Sequence, residues 1–161
     1  MSEEYLLDAA SPEGLYSGTQ LSGAGRAAYP NLLRETLRGS TPEWLGDRLP
    51  GLFNSHHEYV RLGKIVRATV PLDAPRKLAG GEFNRFYMRG LCRRAQTEGV
   101  KGLEIYRALA VADPRPESEA AIGKIVGPTS LLGELREPPN TAKFLHLPGG
   151  PTSGISVRYP R

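Results

Sequence analysis

The chain is poor in several residue types and patterns. A single cysteine, Cys92, in 161 residues excludes an internal disulfide. No run of about 18 apolar residues occurs, so no membrane-spanning helix is expected. The first 20 residues contain no base, only Glu3, Glu4, Asp8 and Glu13. The opening Met1-Ser2-Glu3-Glu4 is therefore unlike the basic, then apolar, start of a secretory signal. These absences lead to the expectation of a soluble chain kept in a reducing cytoplasm. No Walker-type or dinucleotide glycine spacing, zinc-ligand spacing or internal repeat is present. Gly80-Gly81 shares only its glycines with a phosphate-binding turn.

Glycine and proline, by contrast, are plentiful. The 19 glycines and 14 prolines make up about a fifth of the chain, against roughly an eighth on average. Many turns and extended segments follow, and the compact core should be smaller than the chain. The overall charge is +4, unevenly spread. The acidic first 20 residues leave a net +8 on the remainder, and residues 138–161 carry Lys143, Arg158 and Arg161 with no acid. Ends of opposite sign can attract each other, or the opposite end of a neighbour.

Residues 1–28 are broken by Ser11-Pro12-Glu13-Gly14, Ser17-Gly18 and Ser22-Gly23-Ala24-Gly25, and read as an arm. The spacing of Leu33 and Leu37 behind Pro30 predicts a short helix over 30–38, ended by Gly39. Thr41-Pro42-Glu43 opens a second helix, with Thr41 as N-cap and Trp44, Leu45 and Leu49 on its apolar side. Residues 64–70 are β-branched and closed by Pro71, a strand. A loop over 71–81 then leads to the clearest helix, about 82–98, where Phe83, Phe86, Tyr87, Leu91 and Ala95 recur at helical steps before Gly99. A second strand runs from Leu103 to Leu109. Short elements follow within 117–135: a short helix through Ala120–Ile122, a strand at Ile125–Val126 and a helical turn at Leu131, Leu132 and Leu135. The expected fold class is α+β, or a small α/β. A compact strand–helix–strand core lies at about 64–110, with two short N-terminal helices and extended arms at both ends. The division is an acidic arm at 1–28, a compact domain at 29–137 and a basic arm at 138–161.

Arg85, Arg89 and Arg93 stand four residues apart on the predicted helix, with Arg94 beside them. That spacing puts three guanidinium groups in one row about 6 Å apart. Such a row suits phosphates or an acidic protein surface. A solvated face is the commonest outcome for it, an acidic partner the next and nucleic acid the last. No recognition-helix or zinc-finger motif accompanies it, and Tyr106 is the single hint of a stacking platform. His56-His57-Glu58 lacks metal spacing even with His146. Cys92 with His56 or His57 would make a thiol and base, but a free cysteine is usually a small buried hydrophobe. Glu117 and Glu119 fit the start of a helix better than paired catalytic acids, and Glu82 with Glu104 makes a looser set still. Leu6, Leu7 and Tyr16 in the front arm, and Phe144 and Tyr159 in the rear arm, are the anchors the arms could use.

The expected function is a non-enzymatic structural subunit of a large assembly, interlocking with neighbours through its arms. The leading case is a tailed-bacteriophage virion protein (capsid-associated, decoration or head–tail joint), made in the bacterial cytoplasm. Its partners would be other subunits, including copies of itself, with the arginine row facing protein. Nucleic-acid binding through that row and a small enzyme are the alternatives. No cofactor, metal or small-molecule substrate is expected.

Overall fold

The first helix of the chain lies where the sequence reads as an arm. In the computed structural model, which describes residues 1–111, 113–137 and 154–160, Ser2–Ala9 forms helix α1. Glu3 and Glu4 occupy its first turn, where acids favour the helix dipole. Helix α2 spans Gly23–Arg38, seven residues longer at its start than the spacing of leucines predicts. The Ser22 hydroxyl accepts from Gly25 N–H at 3.0 Å and starts the helix there. Pro30 therefore sits inside α2, and Arg26 loses one helical acceptor bond to it. Helix α3, Pro42–Arg48, begins as its sequence predicts: the Thr41 hydroxyl accepts from Trp44 N–H at 3.1 Å.

Strands β1 (His56–Arg61) and β2 (Lys64–Thr69) pair antiparallel as a hairpin. Helix α4 runs over Ala74–Thr97, and its first turn and the next take up residues 74–81, expected in a loop. Pro75 suits that first turn, because a proline there lacks only an N–H that would go unused. Strand β3 (Leu103–Arg107), helix α5 (Pro116–Ala121), strand β4 (Ile125–Val126), helix α6 (Pro128–Arg136) and strand β5 (Ile155–Arg158) complete the fold. The second sheet has the order β4-β3-β5, with both pairings antiparallel.

This is an α+β fold with six α-helices and two small sheets among the described residues. The order strand–helix–strand over 64–107 is present, yet the two strands never share a sheet: β2 pairs with β1, and β3 with β4 and β5. The heart of the molecule is α4 itself. One side of α4 packs Ala79 and Phe86 into a core with Tyr29, Leu33, Leu45 and Leu49. The other side sends Met88, Cys92 and Ala95 into a second core with Leu103, Ile105, Leu131, Leu135, Ile155 and Val157. A helix covered on two sides does not need one clean apolar stripe. The rear segment is likewise no free arm where it is described, since residues 155–158 fill an edge of the sheet. Phe144 and His146 lie outside the described residues.

Candidate functional site

The arginine row is present on α4, but its first two members do not face solvent. Arg85 and Arg89 are buried, and Arg89 is the largest wholly buried side chain. Their partners come from α1. The Asp8 carboxylate accepts from Arg89 Nη1 and Nη2, both at 2.7 Å, and from Arg85 Nη2 at 3.1 Å. Glu4, also wholly buried, accepts from Arg89 Nε at 2.9 Å and from Arg136 Nη2 on α6 at 2.7 Å. Glu82 accepts from Arg85 Nη2 at 2.7 Å, one turn away on α4. Arg93 is 44% exposed and pairs with Glu3 at 3.0 Å, while Arg94 lies on the surface and pairs with Glu98 at 2.7 Å. Each guanidinium of the buried pair also covers the Phe86 ring, at 4.6 Å for Arg85 and 5.0 Å for Arg89.

Buried charges persist only when paired and hydrogen-bonded. Glu4, Asp8 and Glu82 against Arg85, Arg89 and Arg136 meet that condition, so the cluster locks α1 onto α4 and α6. Tyr5 adds a hydrogen bond to the Pro30 carbonyl at 3.0 Å. The signal for this in the sequence is a match of pitch. Glu4 and Asp8 are four residues apart, as are Arg85 and Arg89, so two helices can present facing ladders. Reading residues 1–28 as extended hides that match.

The two buried glutamates respond to the cluster in opposite directions. Burial pushes the Glu4 carboxyl up, but hydrogen bonds from Arg136 and Arg89, with their charges, outweigh it and hold it below its ordinary 4.5. Burial dominates at Glu82 and raises it despite Arg85. Glu4 thus contributes stability that is present above about pH 4.5 and lost as pH falls through its lower folded value. Glu82 contributes in the reverse sense, favouring the fold at acid pH and less as pH rises through its raised value. The expected result is release of α1 before the body unfolds when the solution is acidified below pH 4.5. Methyl NMR of Leu6 and Leu7, both exposed on α1, would follow it. Signals that stay native until global unfolding, or that move identically in Glu4→Gln, would contradict this.

The other candidates are dispersed. Cys92 is buried in the second core, and its thiol is pushed up to about 12, first by burial and then by the Glu4 charge. That is the reverse of an activated nucleophile. His56 and His57 are on the β1–β2 hairpin, with His57 stacked on Tyr59 at 5.6 Å. Glu117 and Glu119 lie in the first turn of α5, where Glu119 pairs with Arg107. Glu104 pairs with Arg158 at 2.8 Å, and the Arg158 guanidinium covers Tyr106 at 5.1 Å. Tyr16 is half-buried and raised by burial and then by the Glu82 charge. The Tyr159 hydroxyl donates to Glu98 at 2.6 Å, so this rear anchor holds the chain's own helix end. Among the described residues, no group of three or more His, Cys, Asp and Glu side chains is placed to hold a metal.

Two surface features leave no clear signal in the sequence. The first is the hairpin. Its turn residues, Leu62 and Gly63, both have positive φ, 49° and 75°. This pattern is that of a tight turn normally occupied by Asn-Gly. Leu62 is the one non-glycine with positive φ among the described residues, and it is 95% exposed. Val60 and Ile65 face each other across the strands, 72% and 75% exposed. The second feature is a groove of about 640 Å³ bounded by α3, α4 and the β3–β5 edge. Phe83, Tyr87, Tyr106 and Leu109 supply apolar lining, and Glu43 and Asp47 supply acid.

Comparison with protein families, with characterised proteins and with solved structures finds no match to this chain. Among the described residues, no helix is long and apolar enough to cross a membrane.

Proposed function

We propose that the chain is a non-enzymatic structural subunit of a large protein assembly, and that it joins its neighbours through the β1–β2 hairpin. The observation that carries this reading is Leu62. A leucine in the left-handed region costs about 1 kcal/mol or more against glycine or asparagine. Exposing it to water adds the loss of its burial energy. A residue unfavourable on both counts in the free chain makes sense when a neighbour covers it. The paired, largely exposed Val60 and Ile65 extend the same apolar tip. A two-stranded hairpin is marginal in water by itself, and a neighbour would supply the cover that this one lacks. The setting we propose is the virion of a tailed bacteriophage, where small subunits repeat around shells and tubes made in the bacterial cytoplasm.

The test is to express the chain with the genes that flank its own and to sediment the lysate. The chain is expected in fast-sedimenting particles, and Leu62→Asn is expected folded but left in the slow fraction. Genes for a portal or major capsid protein are expected among the flanking ones. Wild type and variant both remaining in the slow fraction would defeat the reading.

A further inference from the structure

We propose that the hairpin tip of one copy seats in the α3–α4–β3/β5 groove of the next copy, so that the chain associates head to tail. This rests on the assembly reading above and names the partner as the chain itself.

Three features of the two surfaces match. The tip offers Val60, Leu62 and Ile65, and the groove offers an apolar lining that includes Phe83, Tyr87 and Leu109. A groove of about 640 Å³ is in the range that encloses a drug-sized ligand, comparable to a few apolar side chains. The charges are opposite. Arg61 and Lys64 flank the tip without an ion-pair partner among the described residues, and further along the hairpin Arg67 stands opposite Glu58. On the groove, Asp47 pairs with Arg76 and Asp73 with Lys77, and Glu43 has no ion-pair partner among the described residues.

The surfaces that meet are different patches of the same chain, so the contact is heterologous. Repetition closes a ring or extends a filament, according to the rotation between copies.

The experiment uses the full chain and two variants that disable one surface each. Leu62→Asn removes the tip leucine and suits the left-handed turn, so its melting temperature should hold or rise. Glu43→Arg reverses the groove charge at an exposed helix position. Analytical ultracentrifugation should show concentration-dependent oligomers for wild type, and self-association weakened roughly tenfold or more in each variant. Mixing the two variants should yield a 1:1 dimer and nothing larger. Only one tip and one groove remain intact in that pair. A wild-type chain that stays monomeric across the accessible concentrations overturns the inference. So does a mixture that forms no dimer, or one that grows as wild type does. If Leu62→Asn leaves the particle fraction in lysate while purified wild type never self-associates, the tip docks on another protein. In that case the assembly reading stands and this inference falls.

Discussion

Arg89→Ala is expected to destabilise the protein by about 3–5 kcal/mol, the range for removing one partner from a buried ion pair. Arg89 is wholly buried and donates to both Glu4 and Asp8. Its loss leaves those carboxylates facing apolar surroundings with fewer donors. Arg136 still reaches Glu4 and Arg85 still reaches Asp8, so the loss should stay within that range and not exceed it. Because domains are stable by only about 5–15 kcal/mol, this is a large share. Denaturant unfolding would measure it as a lower midpoint with little change in slope. The paired variant Glu4→Ala with Arg89→Ala should cost less than the two single changes added together, since each residue is the other's compensation. Strict additivity, or a loss below about 1 kcal/mol, would mean that the cluster does not bind α1 to the body.

Phe86→Ala should be about as costly, roughly 3–5 kcal/mol, by a different route. The ring is wholly buried in the first core, and its removal leaves a cavity there. It is also the surface on which the Arg85 and Arg89 guanidinium groups lie, and Tyr5 of α1 stands 6.3 Å from its centroid. The loss should therefore appear at two places: a lower global stability, and faster proteolysis at the front of the chain. Phe86→Leu keeps most of the apolar volume and should recover the larger part of the stability. It should not recover the cation–π contacts, so α1 should stay more easily cleaved than in wild type. Equal protection of α1 in Phe86→Leu and wild type would show that the ring acts by volume alone.

Legibility varied with the range of the interaction that decides each element. Thr41-Pro42-Glu43 announces a helix start because the cap is made within three residues, and the structure places α3 there. The extended, β-branched run at 64–69 and the run at 103–107 are strands for the same local reason. The front of α2 was hidden because Gly23 and Gly25 look like breakers. Gly25 is needed there, since a Cβ would overlap the Leu52 carbonyl. Strand β1 was hidden because Leu62-Gly63 is not a usual turn pair. The arginine spacing was plain in the sequence, whereas the neighbours of those arginines were not. Glu4 and Asp8 are about 80 residues away from them along the chain.

The sequence by itself determined the α+β class, the helix over about 82–97 and the row of arginines along it. Those follow from periodicity and propensity, which act between residues a few positions apart. The tertiary structure decided which strands pair, that the acidic front is a helix, and that Arg85 and Arg89 are buried against it. Those outcomes depend on segments far apart in the chain meeting where water is excluded. There an unpaired charge is unfavourable enough that matched ladders of acid and base must find each other.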